Sequence, residues 1–336
     1  MNSHMQKPAT TQEQKPILSI VIPAYNEEGN IEKIYHDLSE ILLEIDISYE
    51  IIFVDDGSND RTWEVISSLQ QKDSLIKGLR LSRNFGHQYA LFAGLSHAIG
   101  KAVISMDADL QHPPRLIPEL ISKWHEGNKI VHTVRADPED FGFLKKKVSR
   151  LYYKIFSFCS GIKIEPGMAD FRLLDRDVVN SVLLFREEGL LVRGIVQWVG
   201  YPSAFVHFQS ANRYSGSSHY TLKKMVKLAW NGIASFSIVP LRISTVVGLL
   251  MGCFALLVIG YAVYAKYVLQ EVVTGWTSLI AVVSVLFGIL FILIGIIGEY
   301  IGRILLEVRQ RPRFLISDRA GATSSDDRNS EMTIDP

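Results

Sequence analysis

The chain has 336 residues, enough for one large domain or two. Its 35 basic and 35 acidic side chains cancel, so no overall positive field marks it for nucleic acid. Two cysteines are too few for a disulfide framework and agree with a reducing compartment.

The first 15 residues are polar and carry no pattern of a cleavable signal peptide. The opening Met1-Asn-Ser-His-Met5 resembles an expression-vector remnant, and residues 1–16 are expected to be disordered. From 17 to 220, short apolar runs alternate with helical patterns, which predicts an α/β domain. The strands are expected at 18–23, 50–54, 76–81, 102–106 and 129–134. Residues 30–45, 62–71 and 89–99 repeat apolar positions at three- and four-residue steps, as amphipathic helices do. Strands apolar on both faces call for helices on both sides of the sheet, and such sheets bind ligands beyond their carboxyl edge. Polar clusters fall at that edge: Tyr25 to Glu28 after the first strand, Asp55 to Ser58 after the second, Asp107 and Asp109 after the fourth, Arg135 after the fifth.

Asp107 and Asp109, at i and i+2 on an extended segment, share one face and can reach one cation. Two hard oxygen ligands suit Mg²⁺ or Mn²⁺, whose shell substrate phosphates and water complete. Asp-x-Asp by itself equally fits a solvated turn; the convergence of four clusters is what gives the pair weight. Asp56 and Asp60 read as turn-shaping residues, and His87 and His112 as structural histidines near the motifs.

Further along, 143–158 and 222–236 mix Leu, Val, Tyr, Trp and Phe with Lys and Arg in the manner of basic amphipathic helices at a membrane surface. The second, taken as 221–236, leads directly into a region, 237–303, with two uncharged stretches. The stretches read as transmembrane spans at about 243–265 and 274–298, each long enough to cross a bilayer, and their short connection predicts a hairpin. Lys223, Lys224, Lys227 and Arg242 precede the pair and Arg303, Arg309, Arg311 and Arg313 follow it, against Lys266 between the spans. The positive-inside rule places both ends, and the front domain, in the cytoplasm of a plasma or inner membrane. Gly248/Gly252 and Gly298/Gly302 offer faces through which copies of the chain could associate. Residues 304–336 are expected to return to the cytoplasm, with a disordered tail from Ser317 onward.

The motifs Pro23-Ala-Tyr-Asn-Glu-Glu28, Val54-Asp-Asp-Gly-Ser58, Ser82-Arg-Asn-Phe-Gly86, Met106-Asp-Ala-Asp-Leu-Gln-His-Pro-Pro114 and Asp170-Phe-Arg-Leu-Leu-Asp-Arg176 closely resemble the family 2 glycosyltransferases. Within them the chain is similar to polyprenyl-phosphate glycosyltransferases, the group of the bacterial undecaprenyl-phosphate glucosyltransferases and dolichyl-phosphate mannose synthases. The resemblance runs from Leu18 to about Pro312. It implies a GT-A, Rossmann-like nucleotide-sugar domain, inverting transfer and a divalent metal. Pro23, Tyr25, Glu27 and Asp55 match positions that hold the nucleoside. Asp107, Asp109 and Gln111 match the metal and diphosphate site. Arg135 matches an arginine facing the diphosphate, Arg150 one near the acceptor phosphate, and Arg213 opens a segment that closes over the phosphates. His219 stands there where the family usually has lysine, which puts that clamp in question, and Gly100-Lys101 replaces the more usual Gly-Asp.

The implied reaction is transfer of a hexose, foremost glucose from UDP-glucose, to an undecaprenyl-type phosphate. A nucleoside diphosphate leaving group needs cationic stabilisation, whereas a lipid phosphate is nucleophilic without a strong base. Arg150 and Asp109 are therefore expected among the catalytic residues, and Asp170 as a positioning carboxylate or proton acceptor, unless it merely caps a helix or pairs with Arg172. GDP-mannose or a UDP-aminosugar as donor, and a catalytically silent membrane scaffold, are the alternative readings. No Gln-x-x-Arg-Trp of processive synthases is present.

Overall fold

The structure, a computed structural model, describes residues 16–135, 167–185, 192–209, 239–268 and 275–321. Arg150, Arg213, His219 and both basic amphipathic segments lie outside the described residues, as do 1–15 and 322–336.

The chain alternates as expected: β1 (Leu18–Ala24), α1 (Ile31–Ile45), β2 (Tyr49–Asp55), α2 (Thr62–Lys72), β3 (Ile76–Leu81), α3 (His87–His97), β4 (Ala102–Ser105), a 3₁₀ turn (Pro114–Leu116), α4 (Ile117–His125) and β5 (Ile130–Arg135). There follow β6 (Met168–Asp175), α5 (Arg176–Leu183), α6 (Val192–Trp198), β7 (Ser203–Phe208), α7 (Val239–Tyr267), α8 (Trp276–Val308) and β8 (Ile316–Ala320). One eight-stranded sheet runs in the order β7-β5-β6-β4-β1-β2-β3-β8.

Side-chain alternation divides the core into two layers. Ile20 and Ile22 of β1, Ile51 and Phe53 of β2 and Ile104 of β4 meet the stripe of Ile31, Ile34, Leu38 and Leu42 on α1. The intervening Val21, Ile52, Val54 and Val103 face the other way, against α3, α5 and α6. A period of two on strands and 3.6 on helices makes this sandwich the way to bury every apolar run. At Gly94 a Cβ would stand 2.2 Å from Val21 Cγ1, so glycine lets α3 lie close on β1.

Two features depart from a simple doubly wound sheet. β6 runs antiparallel between β4 and β5, pairing Ser105 with Arg172 and Ala102 with Asp175. Its first residues therefore arrive at the carboxyl edge of β4. β8 pairs antiparallel with β3, which corrects the expectation of disorder at residues 317–320; the rest of the expected disordered tail, from 322, lies outside the described residues. An edge strand gains its stability from backbone pairing, and Ile-Ser-Asp-Arg-Ala carries too little apolar pattern to announce it.

At 1.5 Å per residue, the 29-residue α7 and 33-residue α8 span about 44 and 50 Å, against a hydrocarbon core of about 30 Å. Their most apolar segments, Leu241–Tyr261 and Val285–Val308, are 6% and 0% buried, so they are not core helices of the sheet domain. α8 continues beyond the expected end of the second span, and Glu299 and Arg303 pair at 3.0 Å on its later turns.

Candidate active site

The loops leaving the carboxyl ends of β1, β2, β3 and β4 meet the start of β6 around a cleft of about 510 Å³. Pro23, Tyr25, Glu27, Asp56, Asn84, Gly86, His87, Asp107, Asp109 and Asp170 stand around it. The loops are knitted together by backbone donors. Asn26 N–H donates to Ser58 Oγ at 2.9 Å, Asn59 N–H to Asn26 Oδ1 at 2.9 Å, and Glu27 N–H to Thr62 Oγ1 at 2.9 Å. Asn26 is left-handed (φ 56°), a conformation asparagine tolerates better than most residues. Gly57 (φ 68°) is obligatory, because a Cβ there would lie 2.4 Å from the carbonyl carbon of Arg83. Asp56 fixes the third loop by accepting from Phe85 N–H (2.8 Å) and Gly86 N–H (2.9 Å). Burial raises its pKa, and these two bonds only partly offset that.

β4 ends at Ser105, and the Asp pair lies in the turn just beyond it. Leu110 is left-handed (φ 59°), an uncommon conformation for leucine, and Gln111 N–H donates to Asp109 Oδ1 at 3.1 Å. His112, almost fully buried and stacked 5.3 Å from Phe171, accepts Asp107 N–H on Nδ1 at 3.0 Å. Its Nε2 is 3.7 Å from Asp107 Oδ2, and burial lowers its pKa despite the carboxylates nearby. His87 Nε2 bridges Asp107 Oδ1 (3.4 Å) and Asp170 Oδ2 (3.7 Å). Burial works against its protonation, but the bond to Asp170 and the charge of Asp107 prevail and raise its pKa. Burial raises the pKa of Asp107, with the two histidines opposing and the neighbouring carboxylates adding to it.

Asp170 sits in a cage of donors. Arg172, fully buried, donates to Oδ1; Arg193 Nη2 lies 3.2 Å from Oδ2; Gln88 Nε2 lies 3.5 Å from it. Burial would raise its pKa, but the His87 bond and the two guanidinium charges outweigh this and hold the carboxyl well below the usual range. Asp170 is therefore a fixed anion. Its pairing with Arg172 and its place in the cleft are both real.

The predicted residues divide by position. Pro23, Tyr25, Glu27, Asp107, Asp109 and Asp170 gather in the cleft. Burial raises the pKa of Glu27, against the bond from Asn30 Nδ2 (2.5 Å) and with help from Asp109, Asp60 and Asp107. Asp55 lies behind the cleft, wholly buried, with Oδ1 accepting Ser58 N–H and Oδ2 3.3 Å from Arg80 Nε. Asp56 takes the cleft-facing position instead, because β2 runs through Asp55 and the next residue is the first to leave the sheet. Gln111 and Arg135 bond each other at 3.1 Å, outside the residues that line the cleft. His87 and His112, read from the sequence as structural, are contact residues of the Asp pair. Their adjacency to the motifs was the available signal.

Asp107 Oδ1 is buried and accepts no hydrogen bond. With Asp109 beside it, and His87 Nε2 3.4 Å away as its neighbouring ion-pair partner, the donor set is hard and anionic, which fits a divalent cation. Among the described residues no cluster of three or more His, Cys, Asp or Glu could hold an ion, so two carboxylates would leave the remaining positions to substrate oxygens and water.

An α/β sheet with an acidic, loop-built cleft at its carboxyl edge, followed by two long apolar helices, defines a GT-A glycosyltransferase carrying a C-terminal hairpin. The "Glycosyl transferase family 2" model matches residues 19–183, and the "GtrB C-terminal hairpin" model matches 239–304. The chain is 40% identical over 303 residues to the "Uncharacterized glycosyltransferase YkcC" of Bacillus subtilis (strain 168), covering 90% of this chain and 94% of that one. It is 40% identical over 302 residues to the "Bactoprenol glucosyl transferase" of Shigella phage SfX, covering 90% and 99%. Among solved structures, mannosyl-3-phosphoglycerate synthase from Rubrobacter xylanophilus matches 66% of this chain and 72% of its own at TM-score 0.45 and 17% identity. The chain belongs to glycosyl transferase family 2 and is an enzyme of that class.

Proposed function

We propose that the protein transfers a hexose, glucose from UDP-glucose, to an undecaprenyl-type polyprenyl phosphate at the cytoplasmic face of the membrane, with inversion and with Mg²⁺ or Mn²⁺ at Asp107 and Asp109. The observation that carries this is the Asp107/Asp109 pair, with Asp107 Oδ1 buried and accepting no hydrogen bond, in a cleft opening at the sheet's carboxyl edge. Support for the acceptor comes from full-length similarity to the SfX bactoprenol glucosyl transferase. The two apolar helices and the return of β8 to the sheet support a hairpin with both ends on one side of the bilayer.

In this reading Pro23, Tyr25 and Glu27 hold the nucleoside end, and Asp56 fixes the loop that forms the opposite wall. A cation bound by the Asp pair would offset the charge that develops on the departing nucleoside diphosphate. Arg135, with Gln111 as its partner, adds positive charge on the Asp109 side. Asp170, kept ionised by Arg172, Arg193 and His87, is a poor base. It orients His87 and Arg193 toward the acceptor side, where the lipid phosphate is already a competent nucleophile. Arg150, Arg213 and His219 are assigned to the phosphates by resemblance.

Detergent-purified protein given labelled UDP-glucose and undecaprenyl phosphate should move label into the organic phase, and EDTA should stop it. GDP-mannose should give none. Transfer undiminished by EDTA would remove the assigned cation, and no product with any donor would defeat the reading.

A further inference from the structure

β8 consists of residues that follow the second long helix, yet it closes the sheet beside the strand that feeds the cleft. Its ladder pairs Gly78 with Ala320, Leu79 with Arg319 and Arg80 with Asp318. Beyond a register shift, Ser82 N–H donates to Leu315 O at 2.8 Å. Ser82 opens the loop that carries Asn84 and Gly86 to the cleft wall. The approach to β8 is also docked: Arg313 donates to Phe185 O and lies 4.6 Å over the Phe92 ring, and Phe314 and Ile316 pack on the second core layer.

Arg80 stands at the centre of this edge. Its Nε is 3.3 Å from Asp55 Oδ2, its Nη1 is 3.9 Å from Asp318 Oδ2, and its guanidinium carbon is 6.0 Å from the Trp63 ring centroid. Asp55 Oδ2 is buried without a hydrogen bond, so Arg80 is the charge beside it. The other oxygen of Asp55 accepts Ser58 N–H at 2.9 Å, and Ser58 Oγ accepts Asn26 N–H between Tyr25 and Glu27. A continuous polar line thus runs from the strand after the membrane helices to the residues assigned to the nucleoside.

We propose that Arg80, braced by β8, is a positioning residue for the nucleotide half of the cleft, so that donor affinity depends on chain beyond the membrane helices. The proposal rests on the nucleotide-sugar reading above. Removing the guanidinium leaves Asp55 buried and uncompensated. The Asp55–Ser58 turn, and through it the loop of Tyr25 and Glu27, then loses its fixed position. Asp109 and Asp170 make no contact with this line, so the chemical step should be spared.

The test uses full-length protein in detergent, with UDP plus Mn²⁺ as the binding probe in calorimetry and UDP-glucose kinetics at saturating undecaprenyl phosphate. Arg80→Gln should raise the UDP Kd and the UDP-glucose KM about tenfold, with kcat changed less than about threefold. Arg80→Lys, which keeps a cation beside Asp55, should recover most of the loss. An unchanged Kd and KM, or a fall in kcat at constant KM, would overturn the proposal. If Arg80→Gln does not melt cooperatively, Asp318→Asn, which loosens the brace from β8, is measured instead: a rise of about threefold in Kd supports the positioning role and an unchanged Kd overturns it. Failure of the wild-type protein to bind UDP would instead defeat the nucleotide-sugar reading, so the two failures are distinguishable.

Discussion

His87 links two carboxylates of the cleft, with one ring nitrogen within 4 Å of both Asp107 and Asp170. A side chain that orients metal-type carboxylates commonly contributes 10–100-fold to activity. His87→Ala should therefore lower kcat by roughly that factor while the protein melts as before. Asp109→Asn should cost about a hundredfold or more, since it removes charge where the cation is expected. Lipid-extractable label and a thermal melt check both variants. His132 offers a prediction about stability. It is fully buried, stacked 5.4 Å from Phe205, and its pKa is lowered to about 3 by burial first and then by Arg172 and Arg193. The unfolded value is about 6.5, so the neutral ring favours the folded state fully above that pH. That contribution is lost as pH falls from about 6.5 toward 3, at about 1.4 kcal/mol per pH unit. His132→Phe should flatten the acid limb of a melting-temperature profile taken from pH 7.5 to 4.5; an unaltered slope would refute the assignment.

Among the elements, the loops rather than the strands carry the precision of the site. Gly57→Ala forces a Cβ against Arg83 at a positive φ and should cost about 2–4 kcal/mol, visible as a lower melting temperature. It should also weaken UDP-glucose binding, because Gly57 lets the second and third loops touch. The first five strands were legible in the sequence as short runs apolar on both faces, and the first two helices as apolar stripes at a 3.6-residue period; α3, buried continuously from Ala90 to Leu95, was legible from its length between strands. β6 was not, since Asp170 and Arg172 interrupt its pattern; they are tolerated there because each neutralises the other. β8 was invisible for a different reason: backbone pairing, not side-chain burial, holds most of it. The meeting of the clusters after the first, second and fourth strands at one rim could be read from their places at strand ends, whereas Arg135, expected with them, lies outside the residues that line the cleft. The exchange of Asp55 for Asp56 could not be read, because it turns on whether β2 ends one residue sooner, and one residue reverses the face.

For the molecule as a whole, the proposed topology, with both ends of the helix pair on the cytoplasmic side, predicts a pattern of labelling. With Cys159 and Cys253 replaced by serine, Gln270→Cys, between the expected spans, should react with an impermeant maleimide on intact cells. Ser317→Cys should react only after permeabilisation, and the opposite pattern would reverse the topology. The order of synthesis then acquires meaning. A ribosome making this chain delivers both greasy helices before it delivers the strand that seals the donor side. A nascent or prematurely terminated protein, lacking that strand, would have a slack pocket and little hold on its sugar nucleotide. On the proposal for Arg80, competence would come only once both apolar helices have been made.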